Sequence, residues 1–325
     1  MELWRSIAAA WLATGMAISG AAFSQEWPAK QIQIIVNNAP GAGTDLVSRT
    51  ISDRLASILG RTVYVENRIG AAGAIGADFV KKAAPDGYTL LICGDDLALW
   101  RALGIRESIN VLNDFEHIVE LGRTDFFLVV SGEALVANNA NDLVRLAKQK
   151  PGSLSYASPG IGAPHNLAME LFKQQTDTNI VHVPYKGMGP AMPDMVAGRV
   201  QVIMTGYPAI ASFMQSGKLK ILASAGAVRA RLQPGYATLG EQGIPNVEQQ
   251  GYFMFLAPRG TPQAVVTRLN SAANQVLSLP QVREDLAKRG LVAGGGTSEQ
   301  FRQKLRSEVE KWTGVVKAAG IKAEE

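Results

Sequence analysis

Short apolar segments alternate with helical patterns along most of this chain, and this alternation constrains the fold more than any other feature. Amphipathic helical patterns fall between several of the apolar segments. The order predicts an α/β protein with largely parallel sheets. The predicted strands are residues 32–36, 63–66, 89–93, 126–130, 154–158, 180–183, 200–204, 220–224 and 252–257.

The last third of the chain has a different pattern. Thr261-Pro262 predicts a helix start with the proline at the first helical position. Residues 297–300 read Thr-Ser-Glu-Gln, the order of a capping box. We therefore expect two helices without an intervening strand, packed on the outside of a lobe. The apolar face of the second helix would consist of Phe301, Leu305, Val309, Trp312 and Val316.

Composition limits the function classes. The chain has 325 residues, of which 47% are hydrophobic and 18% are charged. It is therefore globular and long enough for two domains. The net charge of +4 is spread out without a basic block, which gives no support for nucleic-acid binding. The single cysteine, Cys93, excludes a disulfide within the chain and a cysteine-based zinc site.

The N-terminus is typical of a secretory signal. A short start ending at Arg5 is followed by an apolar stretch rich in Ala and Gly, and polar sequence begins at Ser24. Cleavage after Ala22 or after Ser24 fits the small residues there. The alternative, a retained membrane anchor, is weakened by Thr14, Gly15, Ser19 and Gly20. We therefore expect residues 1–24 to be removed and the protein to be periplasmic.

A glycine-rich loop, NAPGAGTD at residues 38–45, joins the first predicted strand to a helical pattern. Leu46 stands where a dinucleotide fingerprint needs glycine, and no Gly-Lys-Ser/Thr follows, so neither nucleotide motif is present. Gly41 and Gly43 allow a tight turn, and Thr44 or Asp45 is the predicted helix cap. The free amides at the helix start predict an anion site for a carboxylate or phosphate, although an ordinary βα turn gives the same pattern.

The same arrangement occurs twice more. A loop at residues 159–164 follows the predicted strand 154–158, and Thr205-Gly-Tyr-Pro208 follows the strand 200–204. In open α/β sheets, ligands bind beyond the carboxyl ends of strands. Three such loops on two lobes predict a cleft with helix N-termini on both sides.

Several motifs, in their order and spacing, resemble the Bug-type substrate-binding receptors of tripartite tricarboxylate transporters. The likeness runs from about Trp27 to the end of the chain. It is carried by Trp27-Pro28, by Pro40-Gly-Ala-Gly-Thr-Asp45, by Val65-Glu-Asn-Arg68 with Gly70, Gly73 and Gly76, by Ala84-Pro-Asp-Gly-Tyr-Thr-Leu90, by Ser155-Tyr-Ala-Ser158, by His182-Val-Pro-Tyr-Lys-Gly187, by Ser216-Gly-Lys218, and by Leu256-Ala-Pro258 with Gly260-Thr-Pro262.

The resemblance implies a type II periplasmic-binding-protein fold, with two α/β lobes joined by two crossover strands. Lobe one would comprise residues 27–124 and 226–325, and lobe two residues 125–225, with 126–130 and 220–224 as the crossovers. It also implies a receptor that works as a monomer without a cofactor and hands a small carboxylate-bearing ligand to the membrane components of a transporter. In such receptors the loops hold a ligand carboxylate, largely through backbone groups and water.

The loops and the resemblance together give the expected ligand-binding residues. They are Asn38, Ala39, Pro40, Gly41, Ala42, Gly43, Thr44, Asp45, Gly94, Asp95, Ser158, Pro159, Gly160, Ile161, Gly162, Ala163, His165, Thr205, Gly206 and Tyr207. The sequence departs from the family pattern at Ala42, where a glycine is common, and at Cys93-Gly-Asp-Asp96, where small neutral residues are usual.

The two aspartates in that last segment have two interpretations. Asp95 or Asp96 is a helix cap for residues 97–103, or both face the cleft. In the second case they would repel a plain anion, and the ligand would carry an amine or be largely neutral.

Three functions remain open at this point. The first is a transport receptor, and the second is a sensor that presents its ligand to a membrane sensor kinase. The third is an exported hydrolase in which Cys93, paired with His165, is the nucleophile. A lone cysteine at the end of an apolar strand more often acts as a small hydrophobic residue, which argues against the third.

Overall fold

The computed structural model describes residues 27–214 and 216–319, and the predicted signal segment 1–24 lies outside them. Within this range strands and helices alternate as predicted. The strands are β1 (Ile32–Val36), β2 (Val63–Asn67), β3 (Thr89–Cys93), β4 (Phe115–Ser131), β5 (Ser155–Ser158), β6 (Val181–Pro184), β7 (Val202–Gly206), β8 (Leu219–Ser224), β9 (Gln250–Pro258) and β10 (Leu291–Ala293). The helices are α1 (Gly43–Leu59), α2 (Ala74–Lys81), α3 (Asp96–Leu103), α4 (Ala140–Gln149), α5 (Pro164–Thr176), α6 (Met188–Val196), α7 (Tyr207–Met214), α8 (Gln263–Ser278), α9 (Pro280–Lys288) and α10 (Ser298–Ala319).

The strands follow one path in the order β2-β1-β3-β9-β4-β7-β5-β6, with β8 and β10 also paired to β4. In the first half, β1 lies parallel to β2 and β3, and β9 lies antiparallel to β3 and β4. In the second half, β5 lies parallel to β6 and β7, and β7 lies antiparallel to β4. The structure therefore has two α/β lobes, each with a mixed sheet in which β4, β8, β9 and β10 make only antiparallel pairs. The prediction of largely parallel sheets is wrong on this point, because the shared strand β4 runs antiparallel to its neighbours in both sheets.

Strand β4 belongs to both sheets. Its first part pairs with β9 and β10, and its second part, from Phe126, pairs with β7 and β8. The sequence predicted only residues 126–130, because charged side chains interrupt the apolar pattern before them. Glu120 is buried there as an ion pair with Arg123 and with Lys304, whose Nζ lies 2.8 Å from Glu120 Oε2. Paired charges allow this segment to remain inside a sheet.

Helices cover both faces of each sheet. On one face of the first sheet, α1 and α8 pack over Ile34 and Phe255, and on the other α3 and α10 pack over Leu91 and Met254. The predicted face of α10 is buried as expected, from Phe301 to Val316. Within the described residues, no helix combines the length and the apolar composition needed to cross a bilayer.

The segment between β8 and β9 packs with the second sheet. Leu239, Ile244 and Val247 share a hydrophobic cluster with Tyr156 of β5, and Gln242 Nε2 donates to the carbonyl of Leu222 at 2.9 Å. The prediction placed residues 226–249 in lobe one. We propose instead that lobe two extends to about residue 249 and that lobe one resumes with β9.

The C-terminal prediction was correct in its cap and wrong in its topology. Gln300 N donates to Thr297 Oγ1 at 3.1 Å, and Thr297 N donates to Gln300 Oε1 at 2.9 Å. These two hydrogen bonds confirm the capping box. Pro262 is the N-cap of α8 rather than its first residue. The short strand β10 lies between the helices and pairs with β4, so the expected strand-free pair is not found.

Replacing Phe127 should test how strongly stability depends on β4. The ring is fully buried and makes edge contacts with Tyr207 and Tyr236 at centroid distances of 6.0 Å and 5.9 Å. We expect Phe127→Ala to lower the free energy of unfolding by about 3–5 kcal/mol, because the cavity cannot collapse between two sheet partners. Urea unfolding would measure the loss.

The control for this variant is Val136→Ala, at a position that is 89% exposed. Its free energy of unfolding should change by no more than about 0.5 kcal/mol, since a surface substitution creates no cavity. Equal losses in the two variants would contradict this account of β4.

Candidate functional site: a cleft lined by helix N-termini

The first glycine-rich loop leads directly into α1. Ala42 is the N-cap in an extended conformation, and it makes no side-chain cap hydrogen bond. The predicted cap by Thr44 or Asp45 is therefore wrong, since both residues lie inside the first helical turn. The backbone amides of Gly43 and Thr44 donate to no carbonyl of the described residues. These amides form a positive helix end that is open to a ligand.

Asp45 stabilises the loop. Its carboxylate accepts hydrogen bonds from the Gly41 amide at 2.9 Å, from Asn67 Nδ2 at 2.9 Å and from Arg49 Nε at 3.0 Å. Burial disfavours the charged form, but the hydrogen bonds from Arg49, Gly41 and Asn67 outweigh it and lower the pKa of Asp45. Gly41 has a φ of 81°, a value that only glycine adopts readily. Asp45 and Gly41 thus hold the loop in shape, with the Gly41 amide already occupied.

The loop of the second lobe is held by a serine. Ser158 Oγ lies 2.7 Å from His182 Nε2 and accepts a hydrogen bond from the Gly160 amide at 3.0 Å. Helix α5 then begins at Pro164, with Ala163 as its N-cap. Ser158 therefore fixes the loop that Gly160, Ile161 and Ala163 form around the cleft.

Asp95 and Asp96 occupy the start of α3 without capping it through a side chain. Asp95 is the N-cap residue and makes no side-chain cap hydrogen bond. Asp95 Oδ2 accepts a hydrogen bond from Gln249 Nε2 at 2.7 Å, and Asp96 Oδ2 accepts one from Asn37 Nδ2 at 2.7 Å. Both residues line the inner part of the cleft, so the geometry agrees with the cleft-facing interpretation rather than with the cap.

Burial changes the acidity of this pair. It raises the pKa of Asp95 well above its usual value, and the neighbouring charge of Asp96 raises it further. Burial also raises the pKa of Asp96 to about 6, although the hydrogen bond from Asn37 and the charge of Arg106 lower it. The pair therefore tends to hold a proton near neutral pH while no ligand charge opposes it.

The third predicted loop is shorter than expected. Thr205 and Gly206 end strand β7, and α7 begins at once with Tyr207. The prediction that Tyr207 forms a wall of the cleft is wrong, because its ring packs on Phe127 and against Gly290 in the hydrophobic core. Pro208 and Ala209 at the start of α7 line the cleft in its place.

The cleft between the lobes has an outer and an inner chamber, with volumes of about 470 Å³ and 90 Å³. The outer chamber contains the cations Arg106 and Lys186. Among the predicted site residues, the outer chamber is lined by Asn38, Ala39, Pro159, Gly160 and Ile161. The inner chamber is lined by Asn38, Ala42, Gly43, Thr44, Gly94, Asp95, Pro159, Ala163, His165, Thr205 and Gly206.

Some predicted residues lie behind the walls, and other wall residues were not predicted. Pro40, Gly41, Asp45, Ser158, Gly162 and Tyr207 line neither chamber. The sequence reasoning missed Ala72, Thr124, Phe126, Met188 and Phe253 of the inner chamber, and Gly70, Arg106 and Lys186 of the outer one. Of these, only Gly70 and Lys186 lay in motifs that carried the family resemblance.

Cys93 has the character of a core residue. Its side chain is fully buried beside Leu91 and Trp100. Burial, together with the charges of Asp96 and Asp95, raises the pKa of the thiol well above its ordinary value. Such a thiol is not ionised at neutral pH and is a poor nucleophile. His165 is also neutral, since burial lowers its pKa to about 3.

The raised pKa of Asp96 predicts a stability that depends on pH. Its folded-state pKa of about 6 lies above the unfolded value of 3.8. This contribution is therefore fully present below the unfolded pKa and is lost as the pH rises through the folded one. Each unit of pKa difference corresponds to about 1.4 kcal/mol. Between the unfolded pKa of 3.8 and the folded pKa of about 6, the free energy of unfolding measured with urea should fall less in Asp96→Asn than in the unchanged protein. Parallel curves for the two proteins would contradict the assignment.

Comparisons with known proteins bear on this cleft. Residues 47–321 match the family model described as "Tripartite tricarboxylate transporter family receptor". Protein BugT of Bordetella pertussis is 34% identical over 298 residues, covering 91% of each chain. An R. palustris protein solved with adipate is 31% identical with a TM-score of 0.87, over 91% of this chain and 99% of its own. MatC of Rhodopseudomonas palustris, solved with bound malate, is 26% identical with a TM-score of 0.84, over 89% of this chain and 100% of its own.

These likenesses cover nearly the whole described chain and include both lobes. They confirm the two-lobed fold of periplasmic binding proteins that the sequence motifs implied. The chain belongs to the tripartite tricarboxylate transporter receptor family.

Proposed function

We propose that this protein is a periplasmic solute receptor that captures a carboxylate-bearing molecule between its lobes and delivers it to a tripartite tricarboxylate-type membrane transporter. One observation carries the proposal: helices from both lobes begin at the same small chamber. The N-terminal residues of α1, α3, α5 and α7 all line it. Each helix end contributes about 0.3–1 kcal/mol toward an anion, and more when it is partly buried.

The relatives support the choice of ligand class. The two R. palustris proteins named above were solved with adipate and with malate, which are both dicarboxylates. A carboxylate in the present chamber would accept hydrogen bonds from the unpaired amides of Gly43 and Thr44. Arg106 and Lys186 of the outer chamber would attract the anion toward the cleft.

The contacts between the lobes support a mechanism in which ligand binding is coupled to closure. Arg106 of lobe one donates a hydrogen bond to the carbonyl of Ile161 in lobe two at 3.3 Å. Gly162, with a φ of +80°, lies so close to lobe one that an added Cβ would overlap the end of the Ile105 side chain, which would have to move, and would lie 3.3 Å from Trp100 Cδ1. A ligand that contacts both lobes binds the closed form better, and it therefore shifts the population toward that form. The membrane transporter would then bind the outer surface of the closed protein.

Transport without catalysis is the function that the site favours. The hydrolase hypothesis required a reactive Cys93, and that thiol is buried with a raised pKa. The described residues contain no group of His, Cys, Asp and Glu that could hold a metal ion. The amides and hydroxyl groups around the chamber are suited to binding a ligand rather than activating one.

A ligand screen tests the function directly. We expect at least one compound among succinate, malate, adipate, citrate, benzoate and the amino acids to stabilise the protein against heat. At about 100 times its dissociation constant it should add about 2.7 kcal/mol. Methyl esters of the same compounds are the control and should give no shift. Stabilisation by the esters, or by none of the acids, would contradict a carboxylate receptor.

Cell experiments separate delivery from sensing. In a strain lacking the gene, uptake of the radiolabelled compound from the screen should fall to background, and re-expression should restore it. Intact uptake with loss of a transcriptional response to the same compound would favour the sensor alternative instead.

Replacing Gly162 should test the role of closure. In Gly162→Ala the new methyl group would collide with the end of Ile105 and lie 3.3 Å from Trp100 Cδ1. We expect at least tenfold weaker binding of the carboxylate found in the screen, about 1.4 kcal/mol, measured by isothermal titration calorimetry. X-ray scattering should show a more open protein in the presence of ligand.

The chain offers a closely matched control for this variant. Gly243 has nearly the same φ, +82°, but a methyl group there would meet nothing within 4 Å. Gly243→Ala therefore has a similar backbone cost without the inter-lobe collision, and it should bind as tightly as the unchanged protein. Equal ligand affinity of the Gly162→Ala and Gly243→Ala variants would contradict the closure mechanism.

A further inference from the structure

The inner chamber has an unusual pairing of charges for an anion site. Two carboxyl groups, Asp95 and Asp96, line a chamber whose helix ends favour negative charge, and both stand at the start of one of these helices, α3. The two residues are 3% and 5% exposed. Each has one oxygen engaged by a neutral amide, from Gln249 and from Asn37. The described residues place no cation within ion-pair distance of either carboxyl group.

Several polar atoms of the chamber have no partner. Asp96 Oδ1, Thr44 Oγ1 and Thr205 Oγ1 are buried without a hydrogen bond, and so is His165 Nδ1. All four residues line the chamber, and Thr44 and Thr205 are only 3% and 1% exposed. Buried polar atoms are almost always satisfied in folded proteins, so a cluster of exceptions in one cavity indicates a place for a ligand.

The chemistry of these atoms defines what they need. A carboxylate oxygen only accepts, whereas a threonine hydroxyl can donate or accept. Asp96 Oδ1 therefore requires a donor, and the two hydroxyl groups can serve either end of a dipolar group. Much of the remaining wall is apolar, from Phe126, Phe253 and Met188, and such surroundings strengthen both attraction and repulsion between charges.

A plain dicarboxylate does not fit this arrangement well. One of its carboxylates can sit at the helix N-termini, but the second must stay away from Asp95 and Asp96 or face them at close range. The chamber is also small, with a volume of about 90 Å³. Because one water molecule needs roughly 10–15 Å³, the chamber has space for a short solute in place of roughly six to nine waters. A second carboxylate held inside it would therefore lie close to the acid pair.

We propose that this chamber selects a carboxylate-bearing solute that also carries a nitrogen donor, an ammonium or a primary amide, and that the donor binds Asp96 with Asp95 beside it. The inference rests on the proposed receptor function and adds the class of ligand. The ligand carboxylate accepts from the amides of α1, and the nitrogen group donates to Asp96 Oδ1. Asp95 and Asp96 are then specificity-determining residues.

Other ionisable groups surround Asp95 and Asp96 and contribute to the net charge that this pair experiences. The thiol of Cys93 lies next to it in the chain, and Arg106 acts on Asp96 across the outer chamber. Glu308 of α10 and Tyr252 of β9 act on Asp95 from behind the wall, and His165 of α5 faces the chamber. Glu308 adds negative charge, and the neutral Cys93, Tyr252 and His165 add none, so these neighbours leave the acid pair dependent on a donor from the ligand.

A matched set of small acids tests the inference. In each series one end is constant and the other changes: succinate, succinamate and γ-aminobutyrate, and glutarate, its monoamide and δ-aminovalerate. We expect the amide or the amine to bind at least tenfold more tightly than the dicarboxylate in calorimetry. Asp96→Asn should bring that ratio close to one, with a larger loss for amines than for amides if the natural head group is charged.

Two controls keep the test independent of folding defects. Asp53→Asn removes a carboxylate from the exposed side of α1 and should leave the ratio unchanged. Titration of the unchanged protein in two buffers of different ionisation enthalpy needs no variant at all. Binding of an amine should release protons from the acid pair, and binding of the dicarboxylate should not.

The outcomes distinguish the inference from the function on which it rests. Dicarboxylates that bind as tightly as their amides and amines, with no proton release, overturn the inference and leave the carboxylate receptor intact. If no acid in either series binds and no acid in the wider screen does, the receptor function itself is contradicted, and the inference falls with it.

Discussion

Strand β4 is the constraint on which the rest of the structure depends. It runs for 17 residues and pairs with β9 and β10 in one sheet and with β7 and β8 in the other. Because a single strand belongs to both sheets, its direction fixes how the sheets face each other. The carboxyl ends of β1, β3, β5 and β7 consequently meet at one cleft, and the helices that follow them begin there. Bulges near residues 117–122 and 128 let the strand change partners without leaving the core.

The cleft combines two opposite electrostatic preferences at short range. The helix ends and the outer cations favour an anion, whereas the acid pair of the inner chamber favours a donor. Neither preference alone distinguishes one metabolic acid from another. A ligand with both kinds of group satisfies each without leaving a buried charge unpaired, and a ligand with only one kind does not. Selectivity of this type comes from the cost imposed on the wrong partner as much as from contacts with the right one.

Much of the fold could be predicted from the sequence, because it depends on local patterns. The predicted ranges of β1 and β3 match the observed strands, and the predicted capping box at Thr297 is present. What failed depended on contacts distant in the chain. Strand β10 is only three residues long and exists because β4 offers it an edge. The start of β4 was missed because Glu120 looks exposed in sequence, yet Arg123 and Lys304 allow it to be buried.

The residues of the candidate site divide in the same way, between local patterns and contacts distant in the chain. Phe126, Phe253 and Met188 looked like ordinary core residues, since nothing local shows that a hydrophobic side chain faces a cavity. Tyr207 was expected in the site because it stands beside Pro208 in the predicted loop 205–208, but α7 begins two residues earlier than that loop implied, at Tyr207 itself, and the ring packs into the core.

The burial of Cys93 has a practical consequence. A protein whose single thiol is enclosed in the core is already prepared for site-specific labelling, because thiol reagents will not modify the native cysteine while the fold is intact. A cysteine introduced in place of exposed Lys186, on the rim of the outer chamber, would be the one thiol that the reagents modify. An environment-sensitive dye attached there would report the approach of the lobes as an optical signal. The same residue that argues against hydrolysis thus makes the protein suitable as a metabolite biosensor.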